Sequence, residues 1–373
     1  MSNIKRIAIV IAVIAFLAIF MASFKGNDVL DRAIILGIGV DKSEEGLKLT
    51  AEIVSPGNGQ DQVGTFSKTV TTTGETVGHA IQNIAQKCGK EASLGQCVVL
   101  ILGQEFYQTE DFTAVTDYFI NHHSFKESAV ICCCEGSAEE LFNNSDALSQ
   151  SVSLSVASML LDEAKKIGIA TNSLLQFARS QTELDCTGFL NKIKFTPSEN
   201  KDAQDPDKTQ GYFTFREFAV FRRNAFVCEL SEDEARGFSL FLTETKGDGF
   251  TSELDGVKVS LQVNNKDVKQ DLKGNNIEVS ITLSVRLART DSDDVNGVIT
   301  AKKDKEIDAA TLEDVQKQAM ALAELYLAKQ AEYNFDLLKF HEMARQKNGT
   351  SKELAEKPTS DFNVKLNISV KEN

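Results

Sequence analysis

Sixteen consecutive apolar residues, Ile7 to Ala22, constrain this chain more than any other feature of its sequence. Ser23 and Phe24 prolong the run. At 1.5 Å per residue, ~18 helical residues reach roughly 27 Å, about the thickness of a bilayer's hydrocarbon core. Lys5 and Arg6 precede the run. Positive flanks stay in the cytoplasm, so the remainder is expected on the far side of a membrane. A cleaved signal peptide is the rival reading, and it needs small residues at positions −3 and −1. Cutting after Ala22 places Phe20 at −3, and cutting after Ser23 places Met21 there. Retention as a single-span anchor, residues 1–26, is therefore the expectation. The first cysteine is Cys88, so no thiol near the end of the run can take a lipid.

The rest of the chain carries no second such stretch. Forty Lys and Arg against 54 Asp and Glu leave a net charge of −14. That balance argues against a nucleic-acid surface, which wants clustered cations. Seven cysteines cannot all pair within the chain, and only Cys132-Cys133-Cys134 cluster. They read as buried free thiols.

Alternating hydrophobicity and turn residues divide the exported region. Arg32 to Asp41 and Leu47 to Val54 read as a hairpin, and Thr65 to Thr73 as a third strand. A helix over Glu75 to Cys88 stops at Gly89. Cys97 to Leu102 and Ala129 to Cys134 have buried-strand length, with a helix around Phe112 to Ile120 between them and a short one over Ser137 to Phe142 after. Ser151 to Ile167 is a longer helix, and Leu174 to Arg179 another. Pro197 to Gln210 is polar and marks a boundary or exposed loop. Phe213 to Leu230 reads as two strands turning at Arg223-Asn224, followed by a helix opened by Ser231. Val257 to Val263 and Ile277 to Leu287 alternate as strands, and Phe362 to Val370 is a last one. Thr311 to about Gln346 is expected as one helix. Thr311 to Asp314 would be its capping box, Leu312, Val315, Ala319, Leu322 and Leu325 its core stripe, and Asn334 a kink. The fold class is thus a mixture of α+β and α/β. An anchor helix precedes two to three sheet-and-helix domains: an α/β domain over 27–197, a linker and middle hairpin unit over 198–255, and an α+β domain with a long helix over 256–373.

The motifs that carry chemistry are missing: no nucleophile elbow, P-loop, His-Glu-x-x-His or Rossmann fingerprint is present. Gly37-Ile38-Gly39 lies inside a strand, where glycine serves close backbone approach or a bulge. Asp291 to Gly297 resembles a calcium loop, but Val295 and Lys302 stand where oxygen ligands belong. His122-His123 beside Cys132 to Cys134 makes no metal site, since alternate strand residues face opposite sides. His79 reads as a surface residue. The sequence therefore offers no catalytic, cofactor-binding or metal-binding set.

The ordered segments resemble the Ger(x)C family, the C subunits of spore germinant receptors. Ala33 to Asp41 (AIILGIGVD) is similar to the family's strand ending Gly-Ile-Gly-Ile-Asp. Leu94 to Tyr107 (LGQCVVLILGQEFY) resembles its strand–Gly–Glu segment, Val115 to Glu135 the helix and small-residue strand after it, and Gly136 to Phe142 (GSAEELF) the next helix. Phe218 to Leu242 resembles the family's hairpin and Glu-x-x-Gly helix. Tyr333 to Glu342 falls where the family has Asp-Ile-Phe-Gly-Phe-Gly: Asp336 is kept, while Lys339 and His341 replace the glycines.

The resemblance implies a non-enzymatic receptor component without cofactors. It would lie on the outer face of the spore inner membrane beside polytopic A- and B-type subunits that respond to small nutrients. The family's lipid-modified Cys falls on Ser23, and its Trp-Asp-Arg-Arg stretch is replaced by Phe24-Lys25-Gly26-Asn27. A hydroxyl is a far weaker nucleophile than a thiolate, so the helix Ile7 to Phe24 is expected to stand in for the acyl anchor. The alternative function is an extracytoplasmic binding protein for small nutrients or cell-wall fragments.

Overall fold

The computed structural model describes residues 32–56, 65–143, 151–197, 211–254, 257–273, 276–288, 307–348 and 358–373, with Val13 and Phe16 besides. The rest of the expected anchor Ile7 to Phe24, Ser23 included, lies outside the described residues, as do residues 198–210 and the calcium-like loop Asp291 to Gly297. Among the described residues no helix is long and apolar enough to cross a membrane.

The chain opens with β1 (Arg32–Ser43), β2 (Gly46–Pro56) and β3 (Thr65–Gly74), paired antiparallel. Helix α1 (Val77–Cys88) follows. The Thr76 side chain accepts the His79 N–H at its start, and Gly89 closes it at φ 64°, the left-handed cap that glycine adopts without a Cβ clash. Val77, Ala80, Ile81 and Ile84 face inward, and His79 is exposed as expected. Strands β4 (Glu91–Ser93) and β5 (Val99–Leu102) both run parallel to β1. Helices α2 (Gln104–Thr109) and α3 (Thr113–Asn121) lead to β6 (Val130–Cys134), parallel to β5.

After α4 (Ala138–Asn143), helix α5 (Val152–Ser158) runs through a π-helical turn (Met159–Glu163) into α6 (Ala164–Lys166). Helix α7 (Leu174–Thr182) carries a full Ser173/Gln176 capping box. Strand β7 (Thr187–Pro197) is parallel to β6, and β8 (Gly211–Arg222) and β9 (Ala225–Leu230) add antiparallel. The expected Arg223-Asn224 turn has φ of 52° and 59°, the pair of positive values that a tight hairpin turn requires. The strand order is β3-β2-β1-β5-β6-β7-β8-β9, with β4 beside β1: nine strands, parallel in the centre and antiparallel at both ends.

This sheet is buried on both faces, so its central strands read as continuous apolar runs. One face packs against α1, α3 and α7. The other packs against α4, α5 and the helix α8 (Glu232–Leu240), which opens with a Ser231/Glu234 capping box. The cysteine run obeys the strand period: Cys132 and Cys134 face one core, Cys133 the other.

A second sheet, β10 (Gly249–Leu254), β11 (Val257–Lys273), β12 (Asn276–Leu287) and β13 (Asn363–Glu372), continues the α8-side core. On β12, Val279, Ile281, Leu283 and Val285 are buried, and Leu287 is half-buried at the edge. The long helix is two. Helix α9 (Ala309–Tyr333) ends at Asn334, whose φ of 50° makes it a left-handed cap rather than a kink, a conformation asparagine tolerates best after glycine. Helix α10 (Phe340–Asn348) follows, then β13 (Asn363–Glu372), parallel to β12. Asp308, not Thr311, caps α9: its Oδ1 accepts the Thr311 N–H at 2.7 Å. Thr311 is instead buried and donates to the Glu253 carbonyl at 2.9 Å. The core stripe runs Val315, Ala319, Ala323, Tyr326, Gln330, while Leu325 is exposed and Leu322 half-buried. The buried Gln330 is tolerated because the Tyr326 hydroxyl donates to it at 2.7 Å.

Candidate functional site

Two buried carboxylates of the first sheet are structural. Asp41, at the end of the Gly-Ile-Gly-Val-Asp strand, accepts the backbone N–H groups of Ala138 and Glu139 at the start of α4. Glu52 on β2 accepts the N–H groups of Val152 and Ser153 and the hydroxyls of Ser151 and Ser153 at the start of α5. Both complete helix N-termini with negative charge, where orphan donors and the helix dipole favour it. The glycines between them are small for the same reason. A methyl on Gly39 would sit 2.7 Å from Ala138 Cβ, and one on Gly37 would overlap Ser153.

The cysteines and histidines do not assemble. Burial pushes the thiols of Cys97 and Cys228 up to about 12 and those of Cys132, Cys133 and Cys134 well above the ordinary thiol range, so none is a ready nucleophile. His122 and His123 stack on each other at 4.9 Å.

What the fold does assemble lies where the two sheets meet. A cleft of about 820 Å³ opens between α7, the start of β7, the end of α8 and β11. Phe189, Phe238 and Phe241 make its apolar wall, and Lys165, Arg179 and Lys339 with Glu183 and Glu244 bring charge of both signs to its lining. A pocket of this size with few charged groups suits a small polar molecule. Behind it, Lys266 is buried with Nζ donating to the Ser239 carbonyl and the Thr245 hydroxyl at 2.5 and 2.6 Å. Burial lowers its pKa to about 7, against the pull of Asp248.

At one end of the cleft the connection between α9 and α10 reaches the turn before β7. Lys339 pairs with Glu183 at 2.8 Å across 156 residues of sequence, and Arg222 donates to the Asn334 carbonyl. Between these ties sit Asp185, Asp336 and His341. His341 Nδ1 lies 2.8 Å from Asp336 Oδ2 and 3.0 Å from Asp185 Oδ1. The His341 N–H also donates to Asp336 Oδ2 at 2.9 Å. The side chains of Asp336 and His341 are 1% and 6% exposed, and that of Asp185 19%. Burial, with Asp336 close by, raises the Asp185 carboxyl above its usual value, against the opposing pull of His341. No local spacing announces this grouping, because Asp185 comes from one sheet's turn and His341 from the other half of the chain. The one signal was Asp336, the residue kept where Lys339 and His341 depart from the family's glycines.

Comparison with known proteins agrees with this organisation. Residues 25–194 match the family "Spore germination protein N-terminal domain", and residues 216–373 match "Spore germination B3/GerAC like, C-terminal". No curated protein matches the chain significantly. Among solved structures the chain is similar to the crystal structure of the GerBC protein, at 15% identity and a TM-score of 0.50, covering 90% of this chain and 96% of that one. At that identity the likeness is one of fold, and it extends over both sheets. With both family domains present, in order, over nearly all of the chain, the chain belongs to the GerAC-like spore germination proteins, the Ger(x)C family of germinant-receptor C subunits.

Proposed function

We propose that this protein is the membrane-anchored C subunit of a nutrient germinant receptor, and that it works without catalysis by holding A- and B-type subunits together. The observation that carries the proposal is the succession of an apolar run, Ile7 to Phe24, and two family domains that begin at residue 25 and end at residue 373. In this reading the helix Ile7 to Phe24 crosses the spore inner membrane once, with the bulk of the chain on its outer face. The helix replaces an acyl chain and holds the membrane more firmly. The test is affinity purification of the tagged chain from detergent-solubilised spore membranes. Co-recovery of a polytopic A/B pair supports the proposal, and recovery of that pair in a complex lacking this chain overturns it.

The cleft favours a second reading, an extracytoplasmic binding protein for small nutrients or cell-wall fragments. Its aromatic wall and its charges of both signs suit a small zwitterionic molecule. A ligand well above its Kd raises the melting temperature by an amount that grows with the logarithm of its concentration over Kd. An unchanged melting temperature across a panel of amino acids, sugars and nucleosides removes this reading.

A further inference from the structure

We propose that Asp185, Asp336 and His341 form a binding site for a divalent transition-metal ion of the zinc class, which would staple the turn before β7 to the connection between α9 and α10. Three observations carry it. First, the candidate ligand atoms, one from each residue, all lie within 4.8 Å of one another, and the two distances from His341 Nδ1 are 2.8 and 3.0 Å. At the tetrahedral angle, metal bonds of ~2.0–2.2 Å set adjacent ligands roughly 3.3–3.6 Å apart, so the ring nitrogen comes to ligand spacing from both carboxylates by moving only about half an ångström. Second, Asp336 is turned into this cluster and almost wholly buried, yet its Oδ1 has no hydrogen-bond partner. A carboxylate oxygen stranded without a donor is costly, and a cation between the carboxylates supplies what it lacks. Third, the local charge is negative: two carboxylates face one imidazole, and the neighbouring Lys339 is engaged by Glu183. The His341 ring is held edge-on against Phe362 at 5.2 Å, which fixes its orientation before any ion arrives.

The donor set selects the ion class. Imidazole suits zinc, iron, nickel and copper, whereas calcium and magnesium prefer oxygen alone. Binding needs His341 Nδ1 free of its proton, and the cation offsets the charge of the two carboxylates. The site is absent from the family pattern at its centre, since glycine stands in place of His341 there, so it is a property of this chain.

The experiment is calorimetric titration of the full chain, stripped with chelator in detergent, with Zn²⁺ and separately with Mn²⁺. One saturable equivalent is expected, reversed by chelator and accompanied by a higher melting temperature. Asp185→Asn and His341→Ala should each weaken it by at least ~100-fold, the upper range seen when even an outer partner of a ligand is lost. Asp185→Asn sits at the partly exposed end of the cluster and keeps the test alive where His341→Ala does not fold. Co²⁺ gives a third readout that needs no variant: d–d bands without thiolate charge transfer are expected. Absence of saturable binding of Zn²⁺ and Mn²⁺ overturns the proposal. So does unchanged affinity in both variants, or a thiolate charge-transfer band, which would assign the ion to the cysteines.

Discussion

Asp41 receives the Ala138 N–H on Oδ1 at 2.8 Å, tying the end of β1 to the first turn of α4. Its other oxygen takes the Glu139 N–H at 2.9 Å. Burial raises the Asp41 carboxyl above its usual value in spite of these donors, so the group is held at a desolvation cost. Removing it leaves two N–H groups stranded. Asp41→Ala should destabilise the protein by about 2–3 kcal/mol, and Asp41→Asn, which keeps one acceptor and sets an amide against the second N–H, by about 1–2 kcal/mol. Chemical denaturation of the full chain in detergent checks both values. A change below about 0.5 kcal/mol in Asp41→Ala would refute the capping role.

Gly39 admits no side chain. Its missing Cβ would stand 2.7 Å from Ala138 and 3.0 Å from the Phe142 ring, both on α4. Gly39→Ala should cost about 1–3 kcal/mol by forcing that helix off the sheet, and Gly39→Val more. The pair Gly39→Ala/Ala138→Gly should recover part of the loss, read from the same denaturation curves. Strict additivity of the two changes would argue that the helix does not rest on this position.

Lys266 makes stability depend on pH above neutrality. Its folded pKa is lowered to about 7, from 10.5 in the unfolded chain. Between those values the unfolded state binds more protons, so stability rises with pH by at most about 1.4 kcal/mol per unit. Below about pH 7 both states are charged and the full penalty of burying the ammonium is present. The protein is therefore expected to be more stable at pH 9 than at pH 7 through this group. Lys266→Met should flatten the slope and stabilise the neutral-pH protein. Urea midpoints of parent and variant at the two pH values measure it, and parallel slopes would exclude Lys266 as their source.

Ser23 stands where the family carries its acylated cysteine. The parent should take up no radiolabelled palmitate, and Ser23→Cys should, since Met21-Ala22-Cys approximates the processing site. Equal labelling of both would show that the acyl chain is attached elsewhere.

Much of the fold was legible because local chemistry and global packing agree in it. The alternation of Val279, Ile281, Leu283 and Val285 is the inner face of β12, and Arg223-Asn224 turns the hairpin as its residue types require. Where the text was degenerate, reading failed. Asp308 and Thr311 are both good cap residues three positions apart, and only packing against Glu253 shows which one is buried. The stripe of α9 was misplaced after Ala319, because Leu325 looks more apolar than Gln330 until Tyr326 is seen to satisfy it. The three residues of β4 are too few to show a period, and in β10 the polar Ser252 interrupts the inward alternation of Phe250 and Leu254. β7 hides its inward Lys192, which reaches Glu229 at 2.8 Å. The Asp185–Asp336–His341 cluster lay beyond reach for another reason. Its members are joined by the docking of one sheet on another, and no spacing along the chain encodes that.

The position of β8 has a consequence for how the protein comes apart. The second family segment begins at residue 216, inside β8, yet β8 and β9 pair into the sheet built by the first. A protease cut anywhere in residues 198–210 thus falls between β7 and β8, neighbours joined along ten register pairs. The two fragments would stay clasped under native conditions and separate only in denaturant. Made alone, the first would present β7 as a bare sheet edge, open to any extended chain that met it.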